Sequence, residues 1–555
     1  MSVLSRADRV AYWALAALWL GVAARFWSWW LEPAHRGSPA LFIVATVCLA
    51  YLSTALPSFF WYFVRRMRRP IEIAAPPGRR VAMITLCVPS HESHHVIAEQ
   101  LEALAAVDYP HDSWLLDEGG DPELRALAEA RGVRYFTRHG RPEYNEADPP
   151  FQARTKAGNV NAWLDHIESL GIEYDVFVQL DIDHRPHRDY LHRTLGYFED
   201  RDVAWVQAPS VCGNLESWTA RGLAEQEVVL QGPLQMGFYG HSGTPFIIGS
   251  HTSYRTSAVY AINGFQPTRA EDHLDTVVLA ASGYRGVYVP RVIAEGDGPD
   301  DLGTYLRQQF AWAYSMVQIF VHHTPRLLFS YAPSQSFQFL MAQSWYLLWS
   351  VSLGVLWVLP IVALLSDHHI ARVSLPEFLA YQWPVMLTGL LLWWWTRRFF
   401  QPAGIGLTWR AILLEIARWP VVLLAVVTAL LGIRRSYMIT PKGRDRSPIH
   451  YGLRLYGPYL ALVGVAIAAV AASLVVVEPT STRPYVILVL LNALTFLLLL
   501  ICALALEVRE GRRAEGRFSV ALRSRADVAW AIVLTVALTA ATTALAWTPV
   551  VASLG

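Results

Sequence analysis

Residues 174–184 read YDVFVQLDIDH. A short run of β-branched and aromatic residues ends on two aspartates separated by one position. Such a run predicts a buried strand. Two carboxylates at its end, Asp181 and Asp183, can share a divalent cation, with a diphosphate filling the remaining positions. Similar runs, VAMITLCV from Val81 and VAWVQAP from Val203, alternate with stretches of helical period. These are HVIAEQLEALAAV from His95, ELRALAEARG from Glu123 and KAGNVNAWLDHIESL from Lys156. The alternation predicts an α/β domain with a mainly parallel sheet.

Outside this domain the composition changes. The 555-residue chain is 54% hydrophobic, contains 22 Trp and is only 16% charged, which implies a polytopic membrane protein with one soluble part. A net charge of +1 gives no bulk affinity for nucleic acid. The four cysteines are scattered and suggest neither a disulfide framework nor a zinc ribbon. Seven apolar runs are long enough to span a bilayer, at 10–30, 41–64, 338–366, 377–396, 455–477, 484–507 and 527–549. The first has no small-residue cleavage site and reads as an anchor. An eighth run, 411–432, contains Glu415, Arg418 and Pro420. The basic loops at Arg65–Arg69, Arg397–Arg398, Arg434–Arg454 and Arg509–Arg525 all fall on one side only if 411–432 does not cross. It therefore reads as an interfacial helix. The α/β domain and N-terminus are then cytoplasmic and the C-terminus lies outside, as in a multi-pass plasma (inner) membrane protein of a bacterium.

Further clusters stand at or after the strand ends. Leu116-Asp117-Glu118-Gly119-Gly120 is one, Ala270-Glu271-Asp272 another, and Gln308-Gln309-Phe310-Ala311-Trp312 lies in an amphipathic helical stretch. In order, and with Lys156-Ala157-Gly158-Asn159, they resemble the pattern of the membrane-integrated family 2 glycosyltransferases. Cellulose, hyaluronan and chitin synthases are of this type, and the layout is closest to the bacterial cellulose synthase catalytic subunit. Tyr437-Met438-Ile439-Thr440-Pro441-Lys442 resembles that family's gating loop.

The resemblance implies a GT-A-type, Rossmann-like catalytic domain within an α-helical polytopic membrane domain of about seven spans plus interfacial helices. The implied layout is 1–67, two transmembrane helices; 68–303, the glycosyltransferase domain; 304–336, interfacial helices with the Gln308–Trp312 motif; 337–400, two spans; 401–433, an interfacial helix; 434–452, the gating segment; and 453–555, three spans. Asp272 would be the general base, beside Glu271. Asp117 would contact the uridine base, and Lys156 would lie near the diphosphate. Asp181, Asp183 and His184 would hold Mg²⁺ or Mn²⁺. Trp312 would stack on the acceptor, with Gln308 beside the donor. Tyr437, Thr440 and Lys442 would close over the nucleotide. Ala311 stands where the family has Arg, and Arg307, four residues earlier on the same helix face, is the expected replacement. Ser90 and Glu92, in the turn after the first strand, are expected to touch the uridine.

The implied activity is processive, inverting polymerisation of a UDP-activated sugar into a β-linked polysaccharide that is translocated outward. A growing glycan or lipid acceptor, membrane lipids and accessory subunits for export are the partners of that scheme. A non-processive transfer of one sugar to a lipid or other membrane acceptor is the alternative. The run His91-Glu92-Ser93-His94-His95 also spells the H-E-x-x-H pattern of zinc proteases. That chemistry needs both His on one helix face, whereas Ser93 is a plausible N-cap that leaves His91 in the preceding loop. Phe337, Met341, Trp345 and Trp349 recur every four residues, with Trp357 beyond. They read either as a stacking wall for a glycan or as ordinary packing and an aromatic belt.

Overall fold

The computed structural model describes residues 1–268, 270–402, 405, 409–433, 452–476 and 485–554. The expected gating residues Tyr437, Thr440 and Lys442 lie outside this set.

The predicted strands form. Val81–Cys87 is β1, Asp112–Asp117 is β2, Arg134–Thr137 is β3 and Val176–Asp181 is β4. Arg185–Pro186 is β5, Val203–Gln207 β6, His251–Arg255 β7, Arg285–Tyr288 β8 and Ala294–Glu295 β9. Seven build one sheet in the order β3-β2-β1-β4-β7-β6-β8, and β5 pairs with β9. All neighbours in the large sheet run parallel except β7, which is antiparallel to both β4 and β6. Strand side chains alternate between two faces. Val81 and Met83 of β1 join Val176 and Val178 in one core, while Ala82, Ile84 and Phe177 join Trp163 and Trp205 in the other. A sheet buried on both faces explains why these strands read as continuous apolar runs.

Strand order reverses between β1 and β4. In open α/β sheets that switch point opens a crevice at the strands' carboxyl ends. Asp181 ends β4 there.

Among the described residues, seven helices are long and apolar enough to cross a membrane: Arg6–Trp30, Pro39–Arg65, Pro333–Ser366, Trp409–Leu430, Leu453–Val475, Tyr485–Arg512 and Ala526–Trp547. The number matches expectation but the set differs. Leu375–Thr396 forms a helix, yet its hydropathy is diluted by Glu377, Gln382, two prolines and four tryptophans, and it is not one of the seven. Trp409–Leu430 qualifies because its three charged residues, Arg410, Glu415 and Arg418, are few among many aliphatic residues. The last two pair with each other: Arg418 is 4% exposed, donates to Glu415 at 2.6 and 2.9 Å, and reaches Gln309 Oε1 at 3.0 Å. Its guanidinium also lies 5.0 and 5.1 Å from the Trp345 and Trp349 rings, which stack on each other. Phe337 packs against Tyr62 at 5.1 Å. These members of the aromatic stripe are thus engaged in packing within the protein.

The α/β domain is tied to the helices by buried polar contacts. Gln338 donates to Thr244 O at 2.7 Å, and Gln343 meets His273 Nε2 at 3.0 Å. On the same side, the chain start pairs Ser2 with Arg68, and Asp8 contacts Arg398.

Candidate active site

The crevice at the β1–β4 switch point is a cavity of about 1300 Å³. It runs from the turn after β1 (Pro89, Ser90, His91, Glu92), past Asp181, Asp183 and His184, to Glu271, Asp272, Gln308 and Trp312. Sequence positions more than 200 residues apart therefore share one space.

The Asp181–His184 turn is held rigidly. Asp181 N donates to Ser250 O at 2.8 Å, and Gln100 Nε2 reaches the carbonyls of Asp181 and His184 at 3.3 and 2.9 Å. One ligand atom from each of Asp181, Asp183 and His184 can be chosen so that all lie within 4.8 Å of one another. His184 Nδ1 is buried, makes no hydrogen bond to any described residue, and sits 3.5 Å from Asp183 Oδ1. Two carboxylates and an imidazole with an unused nitrogen suit a divalent cation of the Mg²⁺ or Mn²⁺ kind.

Lys156 opens the helix Lys156–Ser169, which Thr155 caps by accepting from Gly158 N at 3.0 Å. Gly158 is needed there because a Cβ would lie 2.2 Å from Gln152 O. The Lys156 ammonium donates to Asp181 Oδ1 at 2.8 Å and to Gly249 O at 2.6 Å, and lies 3.3 Å from Glu271 Oε1. Burial would lower its pKa, but the charges of Asp181 and Glu271 reverse the sign and raise it.

Glu271 and Asp272 form the first turn of the helix Glu271–Ala281. Asp272 Oδ1 accepts from His273 N at 2.7 Å. Gly249, with φ +74°, lies so close that a Cβ would meet Asp272 Oδ2 at 2.8 Å. Burial, and then the neighbouring charge of Glu271, push the Asp272 carboxyl up to about 7. A carboxylate poised near neutrality suits a general base. Burial drives the His273 imidazole the other way, to about 3, so it is neutral where it meets Gln343.

On the helix Leu302–Gln318, the cavity is lined by Thr304, Gln308, Ala311, Trp312 and Ser315. Trp312 is 37% exposed, which leaves part of the ring available for stacking. Gln308 Oε1 has no hydrogen-bond partner among the described residues, an open acceptor for a hydroxyl.

The structure places the other expected donor contacts as follows. Arg307 does not line the cavity. Helix side chains lean toward the N-terminus, and its guanidinium lies 3.3 Å from Thr304 Oγ1. Asp117 is fully buried and also outside the lining. Its Oδ1 accepts from Gly119 N at 2.7 Å, and its Oδ2 from Asp121 N at 2.6 Å and Tyr135 Oη at 2.7 Å. It shapes the turn, while Glu118, Gly119 and Asp121 line the cavity. Glu92 does line it, but one of its oxygens accepts from Val88 N at 2.6 Å and closes the turn after β1. Ser90 lines it too, 2.7 Å from His91 Nδ1. The helix after this turn begins at His94 with Ser93 as its cap, so His91 and His95 are not paired on one helix.

Arg138 gave no signal in the sequence. It is fully buried, grips Glu118 with two bonds of 2.7 Å, and donates to the carbonyls of Tyr144, Gln152 and Thr155 at 3.0–3.2 Å. One guanidinium thus ties the β2 turn to the loop before Lys156. No spacing rule announces such a residue, because its partners are mostly backbone.

Residues 176–397 match the family model described as "Glycosyl transferase family group 2". That stretch of the chain is similar to family group 2 glycosyltransferases. A cellulose synthase catalytic subunit of Dictyostelium discoideum is 34% identical to the chain over 176 residues, 31% of this chain and 16% of that protein. The cellulose synthase 1 catalytic subunit of Komagataeibacter xylinus is 27% identical over 298 residues, 51% of this chain and 37% of that protein. The chain spans well under two thirds of the length of either relative. Among solved structures, the mannosyltransferase PcManGT from Pyrobaculum calidifontis in complex with GDP-Man and Mn²⁺ aligns with a TM-score of 0.46 at 18% identity, over 71% of this chain and all of that one. The transferase domain therefore includes Asp181, Asp183, His184, Glu271, Asp272, Gln308 and Trp312 within the matched stretch.

Proposed function

We propose that the chain is a processive, inverting glycosyltransferase that extends a β-linked polysaccharide from a UDP-activated sugar and passes it across the plasma membrane. The observation that carries this reading is the shared cavity. Asp272, the Asp181–Asp183–His184 cluster and Trp312 all face it, beside helices long enough to span a bilayer. The catalytic subunits of cellulose synthases among the relatives support the same class.

A sugar hydroxyl is a weak nucleophile. Asp272 would accept its proton as the oxygen attacks the anomeric carbon, while Trp312 orients the acceptor and Gln308 lies beside the donor. A single displacement needs one base on the acceptor side and inverts the anomeric centre. Lys156 would keep Asp181 and Glu271 in place and oppose charge on the leaving diphosphate. A divalent cation held by Asp181, Asp183 and His184 would supply Lewis-acid stabilisation of that diphosphate.

For the membrane part, the contacts of Ser2 with Arg68 and of Asp8 with Arg398 favour one cytoplasmic side for the N-terminus and both basic segments. The helix Trp409–Leu430 packs on the catalytic side: Arg410 pairs with Glu225 at 3.0 Å and Arg418 reaches Gln309. Those contacts favour an interfacial position over a crossing. The segment 434–452 follows directly and would provide the gating loop.

The test is a screen of nucleotide sugars with purified protein, read as UDP release and then product size. High-mass product supports polymerisation. A single-sugar lipid product would replace it with the non-processive reading, and folded protein that releases UDP from no donor would overturn both.

A further inference from the structure

The cavity's charge balance raises a separate question. Its lining carries eleven carboxylates but only two permanently cationic side chains, Lys156 and Arg154. A ligand bearing phosphates meets repulsion there unless cations offset it. Lys156 is already committed, with its ammonium within 3.3 Å of Asp181, Glu271 and the Gly249 carbonyl. An ammonium has three donors, so none is left over.

Arg154 differs in every respect. It is exposed at the cavity lining and makes no hydrogen bond or ion pair with any described residue. Its backbone has φ 59°, in the left-handed region that non-glycine residues avoid. Both neighbours are fixed. Ala153 N donates to Glu146 O at 2.9 Å, and Thr155 caps the Lys156 helix while its carbonyl accepts from Arg138 at 3.1 Å. A strained residue held by an over-determined loop beside a cavity is a mark of function. The strain stations a free guanidinium at the start of the helix that carries Lys156.

We propose that Arg154 is the cationic grip on the donor's phosphate groups. A guanidinium suits this, because its planar donors pair with phosphate oxygens in a bidentate fashion. The assignment rests on the nucleotide-sugar reading above. It places the grip on the sheet side of the cavity, in the loop before Lys156, and not on the helix that bears Gln308 and Trp312.

The experiment is an equilibrium titration of full-length, detergent-solubilised protein with labelled UDP and Mn²⁺, with unlabelled uridine as competitor. Arg154→Asn removes the charge while keeping a side chain that tolerates left-handed backbone. We expect Arg154→Asn to weaken UDP binding about tenfold or more, to leave uridine affinity unchanged, and to leave the thermal midpoint at or above the parent's. Arg154→Lys should fall between the two. UDP affinity equal to the parent's, or an equal loss for uridine, would overturn the assignment while leaving the donor reading intact. A parent that binds no UDP would instead remove the donor reading and this proposal together.

Discussion

Two acidic turns stand at the carboxyl ends of strands that flank β1, and they do opposite work. The turn after β2 folds inward. Asp117 has no solvent exposure, and its oxygens are spent on Gly119 N, Asp121 N and Tyr135 Oη. The turn after β4 faces the cavity. Asp181, Asp183 and His184 converge there, and the Lys156 ammonium pairs with Asp181 Oδ1 at 2.8 Å. Each turn is an Asp at a strand end, and composition does not separate them. What separates them is which groups face the cavity: the β2 turn presents Glu118, Gly119 and Asp121 while Asp117 is spent inside it, and the β4 turn presents its own Asp181, Asp183 and His184 at the switch point.

The contrast can be broken most sharply at the base. Asp272→Asn should lower kcat by about 10²–10⁴, the range of a lost general base, with donor KM little changed. A loss below about tenfold would move the base elsewhere. At the metal turn, Asp183→Asn should weaken Mn²⁺ binding, measured by calorimetry, by more than the roughly 10–100-fold typical of second-layer partners. Unchanged Mn²⁺ affinity would leave the β4 turn no different from the β2 turn.

A third prediction concerns pH. Burial and the neighbouring charge of Glu271 push the Asp272 carboxyl up to about 7, and only its ionised form accepts a proton. Thus kcat/KM should fall about tenfold per pH unit below that point and level off above it. Burial also pushes Glu227, elsewhere on the cavity wall, up to about 7, so the same profile must survive in Glu227→Gln. Stability moves the other way. A carboxyl whose folded pKa exceeds its unfolded value of 3.8 binds more protons when folded, so its contribution declines as pH rises from about 4 to about 7.

The smallest effect belongs to Asp117. Asn in its place turns an NH₂ toward a backbone N–H, and a buried unsatisfied donor costs about 1–3 kcal/mol. Asp117→Asn should therefore lower the thermal midpoint while UDP affinity of the folded protein stays within about threefold. Lost UDP affinity at an unchanged midpoint would reverse the comparison of the two turns.

Much of the scaffold was readable before any fold was built. The runs at Val81, Val176 and Val203 became β1, β4 and β6, and the helical stretches became His94–Ala105, Pro122–Glu129 and Lys156–Ser169. Strong periodicity survives tertiary packing because it is what packing uses. The motif residues Lys156, Asp181, Glu271, Asp272, Gln308 and Trp312 were legible by type and order, and they meet in one cavity. Where the Arg307 guanidinium lies was not legible, because spacing gives a helix face but not the direction in which a long side chain leans.

The sequence by itself determined the mixture of apolar spans and one α/β domain, and the chemical types present at strand ends. Local composition and periodicity encode both. Tertiary structure alone decided which carboxylates face the cavity, that β7 enters antiparallel, and that Arg138 is buried among carbonyls while Arg154, sixteen residues on, is exposed at the cavity lining. Those outcomes depend on burial and on contacts between residues distant in sequence, and no local pattern carries them.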